Sequence, residues 1–110
     1  MADAIVILVT TPSQALAEQI GRALVGRRLA ACANVVPGLQ SIYRWQGEVM
    51  ADPEVLMLIK TGADRFAEVA AAVKELHPYE VPEIVALPIV AGAPSYLAWL
   101  HTESRPEAVA

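Results

Sequence analysis

A chain of 110 residues carrying a net charge of −4, with an isoelectric point near 5.0, is sized for one domain and lacks the concentrated basic face that nucleic acid requires. Its apolar content of 55% and mean hydropathy of +0.43 are high, since globular chains average about 45–50% apolar even with glycine counted. No apolar run approaches the ~20 residues of a membrane span, so the surplus points to a subunit interface rather than a bilayer.

Ala4 to Thr10, AIVILVT, is a continuous β-branched apolar run, the pattern of a central strand buried on both faces. Thr11 then caps a helix, Pro12 fits its first position, and Gln14 completes a capping box. Leu16, Ile20, Ala23 and Leu24 form the apolar face of that helix, and Gly26 ends it. Leu29 to Thr61 follows as the longest coherent stretch. At its centre Trp45 and Glu48 flank Gln46-Gly47, a two-residue hairpin turn with glycine supplying a positive φ. Both arms are rich in residues that favour strands. The first arm, Leu29 to Trp45, would extend on the order of 55 Å if straight, whereas a domain of this length has a radius of gyration of about 13 Å. The hairpin must overhang its own body or bend, and Pro37-Gly38 and Asp52-Pro53 are the places for a bulge or break. Either way, part of it is expected to lie against another subunit.

Thr61-Gly62-Ala63-Asp64 introduces a second helix with Phe66, Val69, Ala70, Val73 and Leu76 on one face, and Pro78 stops it. His77 to Glu83, HPYEVPE, is a loop pinned by two prolines. Ile84 to Val90 is a further strand in which Pro88 marks an edge or a bulge. Gly92-Ala93-Pro94 opens a last short helix with Tyr96, Leu97, Trp99 and Leu100, and the tail, 103–110, is expected to fray. The order βαββαβ plus a C-terminal helix predicts an α+β, ferredoxin-like sandwich as a single domain, 1–110. Right-handed crossovers put both helices on one face of a four-stranded sheet, with the first strand central and the hairpin's first arm at an edge.

The blocks LAACANVVPGLQSIYRWQGE, EVLMLIKT, LHPYEVPEIVALPI and YLAWL together resemble the CutA, or divalent-cation tolerance, proteins. The resemblance covers roughly Ala4 to His101, with the blocks in the family's order. It implies a ferredoxin-like subunit, a homotrimer built through the long hairpins, and similarity to the trimeric PII signalling proteins. It further implies a role in tolerance of divalent metals, with copper binding proposed for the family. Some members carry additional Cys or Met residues, sometimes in an N-terminal extension; neither an extension nor a second Cys is seen here.

The chemistry-bearing residues divide into two sets. Cys32, His77, Glu80 and Glu83 are candidate metal ligands. The Cys32 thiolate would suit Cu(I) or Zn(II), or the residue is a small apolar strand position. His77, at a helix end, is either a ligand or an imidazole complementing the helix dipole. Lys60, Tyr79, Glu80 and Glu83 are candidates for a ligand cleft at a subunit boundary, or for an interfacial ion-pair network. Carboxylates suit a divalent cation and lysine an anion. His101 reads as a surface residue, and Tyr43, Trp45 and Trp99 as core or interface anchors. A single cysteine allows no intrachain disulfide, and with no secretory signal visible the expected compartment is a reducing cytoplasm. No CxxC or HExxH motif, nucleophile–base pair or phosphate loop occurs, and Gly21, Gly26 and Gly38 form no nucleotide fingerprint. The expectation is a non-enzyme without organic cofactor that responds to copper or another divalent ion. The alternative, from fold analogy alone, is a PII-like regulator binding a small anionic metabolite at an intersubunit cleft.

Overall fold

A computed structural model describes residues 3–107. Along the chain these form β1 (Ala4–Thr11), α1 (Gln14–Gly26), β2 (Cys32–Trp45), β3 (Glu48–Gly62), a 3-10 turn (Ala63–Arg65), α2 (Phe66–Leu76), β4 (Val85–Pro88) and α3 (Pro94–Glu103). The four strands make one antiparallel sheet in the order β2-β3-β1-β4. The first strand is therefore internal and the first hairpin arm is an edge, as the element order requires for a ferredoxin-like sandwich.

Alternation along the strands decides where the core lies. Ile5, Ile7 and Val9 pair across the ladder with Thr61, Ile59 and Met57, and all six are buried. Against this face pack Ala17, Ile20 and Leu24 of α1 with Val69, Ala72 and Val73 of α2. The intervening residues of β1, Val6 and Leu8, are only half-buried. The expectation of a strand buried on both faces thus holds for one face in this chain.

The hairpin both overhangs and bends. Gln46 and Gly47 take φ of 49° and 82°, the two positive values that a type I′ turn demands, and Trp45 pairs with Glu48. Val36 pairs with Leu56 but the next pair is Leu39 with Glu54, so Pro37 and Gly38 bulge together opposite Val55. Gly38, at φ 86°, supplies the left-handed residue such a bulge needs. The other arm runs unbroken through Asp52 and Pro53. The subunit measures 53 × 27 × 22 Å, long because the bulge bends the arm without folding it back.

Several boundaries differ from the sequence reading. The cap of α1 is Ser13, whose Oγ accepts the Leu16 amide at 3.1 Å. Thr11 cannot serve, because its pairing with Val55 keeps it in β1, and its hydroxyl instead donates to the Ser13 carbonyl at 2.8 Å. β4 is shorter than Ile84 to Val90: its register with β1 covers Val85 to Pro88, where proline, lacking an N–H, sits on the sheet edge. Past Glu103 the chain is tied to the body as far as Arg105. Ser104 is buried with its hydroxyl donating to the Leu100 carbonyl at 2.7 Å. Arg28 donates to the carbonyls of Thr102 and Arg105, and Arg105 pairs with Asp64. The remainder of the tail expected to fray, 108–110, lies outside the described residues.

Candidate functional site

Pro78 excludes helical geometry at the residue before it, so His77 leaves α2 extended, at φ −89° and ψ 133°. Its ring turns inward and is only 7% exposed. Nε2 lies 2.7 Å from the Thr10 carbonyl on β1, and Nδ1 accepts the Tyr79 amide at 3.2 Å. A carbonyl only accepts and an amide only donates, so this pattern requires a neutral ring with its proton on Nε2. His77 is therefore engaged at both nitrogens, as neither a free metal ligand nor a cation facing the helix dipole.

Tyr79 continues the arrangement toward the hairpin. Its ring packs 4.6 Å from that of His77, centroid to centroid, and its hydroxyl donates to Glu54 Oε2 at 2.8 Å. Glu54 is 8% exposed. Burial first, then the bond to the Glu54 carboxylate, pushes the Tyr79 phenol up to about 12. Beside it Tyr43 donates to Asp52, and that bond holds the Tyr43 phenol above its ordinary value. Asp52 and Glu54, two apart on β3, share one face of the strand. The loop after α2 is thus fastened to the base of the hairpin.

Glu80 and Glu83 are exposed on the same loop. Glu80 borders a groove with Val81, Pro82 and Ile84 on one side and Phe66, Ala70 and Lys74 of α2 on the other. Lys60 lies elsewhere. It lies six positions from Glu54 along β3, about 20 Å of strand. It pairs in register with Cys32, and its Nζ stands 5.8 Å from the Tyr96 ring centroid, a cation–π contact. Cys32 is half-buried, with Sγ 3.8 Å from Asn34 Oδ1. Of the residues expected to line a cleft at a subunit boundary, Lys60 lies within one subunit beside Cys32 and Tyr96 near the start of the hairpin, whereas Tyr79 is bonded to Glu54 near its bulge, with Glu80 and Glu83 exposed on the same loop. Among the described residues no three His, Cys, Asp or Glu side chains converge on a metal-sized site.

Sequence reasoning passed over Glu54, Asp52, Thr10 and Tyr96. The Asp52–Glu54 spacing, two acids on one strand face, was the available signal for part of this set; the partnership with Tyr79 spans 25 residues and carries no local mark.

The sheet face away from α1 and α2 remains largely uncovered. By register it carries Val6 and Leu8, Leu56 and Leu58, and Val36, Val85 and Leu87, the last three 43%, 48% and 53% exposed. On the overhanging hairpin Ile42 and Val49 are 73% and 66% exposed. An antiparallel sheet tolerates one solvated face, but that face is then polar; this one is apolar.

Residues 5–103 match the family model described as CutA1 divalent ion tolerance protein. The chain belongs to this family. It is 59% identical to the divalent-cation tolerance protein CutA of Thermus thermophilus over 87% of its own length and 93% of that protein's. It is 48% identical to protein CutA of Mus musculus over 87% of its length, but spans 55% of that longer chain. Among solved structures, the Thermus thermophilus Cut A1 protein superimposes with a TM-score of 0.87 at 57% identity, covering 89% of this chain and 95% of that one. CutA from Xylella fastidiosa superimposes with a TM-score of 0.91 at 41% identity, covering 94% and 100%. These likenesses bear out the family resemblance and the ferredoxin-like fold. The family description and the name of the Thermus thermophilus relative speak of divalent-ion tolerance, and this is the general function of the family to which the chain belongs.

Proposed function

We propose that this protein acts as a homotrimeric, non-catalytic metal-response protein that binds copper or another divalent ion between subunits. The observation that carries the reading is the apolar sheet face left open beside an overhanging hairpin. Three copies around an axis would cover that face and pair the exposed strand edges. An obligate interface of this kind buries on the order of 2,000 Å² or more. A ligand set dispersed within one subunit fits the same reading, because symmetry brings distant parts of the chain together. Glu80 and Glu83 supply hard oxygen donors from the loop, and Cys32, in register with Lys60 on the open face, is a soft donor suited to Cu(I). His77, with both nitrogens engaged, supports the loop rather than the ion.

Sedimentation at micromolar concentration, followed by calorimetric titration with Cu(I), Cu(II) and Zn(II), tests the reading. The expected results are a particle of three chains and binding tighter than about 100 μM for at least one ion, weakened by Cys32→Ser or Glu80→Gln with Glu83→Gln. A folded monomer of 11.7 kDa sinks the assembly, and absence of binding to the trimer sinks the metal role.

One observation supports the second reading, a PII-like regulator taking a small anion. Among the described residues Lys60 forms no salt bridge, which leaves an ammonium available to a carboxylate or phosphate. A nucleotide and carboxylate thermal-shift screen in the presence of chelator separates the two. Protection that disappears in Lys60→Ala favours the anion. The cytoplasm, read from the lone cysteine, is the compartment we assign within this proposal. No described helix is long and apolar enough to cross a membrane, and relatives include proteins named chloroplastic and periplasmic.

A further inference from the structure

The buried imidazole of His77 joins three parts of the fold through two hydrogen bonds that tolerate one protonation state. Nε2–H donates to the Thr10 carbonyl on β1, and Nδ1 receives the amide of Tyr79. A proton added at Nδ1 would place one N–H donor against another, and the site is only 7% exposed, so water has little room to separate them. Histidine is also the side chain whose charge ordinarily changes between pH 5 and 8.

The bond that would be lost sits at the hinge of the loop. It orients the Tyr79 amide, and the same residue's hydroxyl holds Glu54 at 2.8 Å. Of the titratable groups, Tyr79 on the loop packs on the ring and leads through its hydroxyl to Glu54 on β3, while Asp52 of β3 and Tyr43 of β2 are bonded to each other; β1 presents the Thr10 carbonyl, and Lys74 and Glu75 of α2 are exposed. The Tyr79 amide, itself a donor, is the recorded hydrogen-bond partner of Nδ1, and it cannot accept from a protonated nitrogen.

We propose that His77 is a proton-operated latch. Neutral, it pins residues 78–83 to the sheet and keeps Tyr79 on Glu54; protonated, it releases them, and with them the exposed carboxylates of Glu80 and Glu83. The latch stands whether or not the loop ever holds a cation, so its failure and the failure of the metal reading are separate results.

Nitrogen-15 NMR of the metal-free full chain between pH 8 and pH 5 decides the matter, with the His77 ring nitrogens and the hydrogen-exchange protection of the Tyr79 amide followed together. The expected result is a neutral ring protonated on Nε2 at pH 8, and a loss of Tyr79 protection of tenfold or more that tracks the titration of His77. His77→Gln retains an amide donor and acceptor but cannot titrate, and is expected to make Tyr79 protection independent of pH over this range. A proton on Nδ1 at pH 8, a ring that stays neutral to pH 5 in the folded protein, Tyr79 protection unmoved while the ring titrates, or an unaltered pH dependence in His77→Gln would each overturn the latch.

Discussion

Ile5, Ile7 and Val9 of β1 are sealed under two helices, whereas Val6 and Leu8, their neighbours in the same strand, stay half-exposed. Both sets are equally apolar, so composition did not separate them. What differs is the cover: two crossover helices pack on one face, while on the other α3 supplies the Tyr96–Lys60 contact and leaves Val36, Val85 and Leu87 open. The lesson is that the chain completes its own core on one side only. The other side carries the apolar surplus seen in the composition, which the proposed trimer would bury.

The sharpest way to break this comparison is to damage each face in turn. Ile59→Ala, in the covered core, is expected to cost about 2–5 kcal/mol in chemical unfolding, at any protein concentration. Ile42→Asp, on the overhanging hairpin, is expected to leave the covered core alone and abolish assembly, which sedimentation reads as an 11.7 kDa species or as unfolding of a subunit that cannot stand alone. If Ile42→Asp sediments like the parent, the hairpin is not an interface.

A smaller effect is expected where the C-terminal segment is tied down. Arg28, held at φ 58°, donates to the carbonyls of Thr102 and Arg105 and pairs with Glu103, satisfying groups that α3 leaves open at its end. Arg28→Ala is expected to lower unfolding stability by about 2 kcal/mol and to expose the last helix to early hydrogen exchange.

The smallest effect separates the loop from the body. Tyr79 is raised to about 12, above its unfolded value of about 10. Its contribution is therefore fully present below about pH 10 and is lost as pH climbs toward 12. Tyrosinate absorbance should show one residue ionising last in the parent and none so late in Tyr79→Phe, whose stability should also fall less steeply over that window. A late-ionising group that persists in Tyr79→Phe would place the effect at Tyr43.

Local signals served well wherever the cause was local. The Gln46-Gly47 turn, the bulge at Pro37-Gly38 and the stop before Pro78 each follow from the φ of one or two residues. The start of α1 misled because Thr11 and Ser13 are both good caps. Only the pairing of Thr11 with Val55, 44 residues away by number, decides between them. The candidate site was less legible: Tyr79 was singled out but its partner Glu54 was not, and within one subunit Lys60 lies beside Cys32 and Tyr96, away from the loop.

By itself the sequence determined the element order, the two-residue hairpin, the hydrophobic alternation and the excess of apolar surface, because each depends on backbone dihedrals or on residue spacing within a short window. The tertiary structure alone decided which face of the sheet the helices cover, which acid receives the Tyr79 hydroxyl, and which backbone groups the two ring nitrogens of His77 meet. Those outcomes rest on contacts between residues 25 to 67 positions apart, where sheet register, not local propensity, chooses the partner.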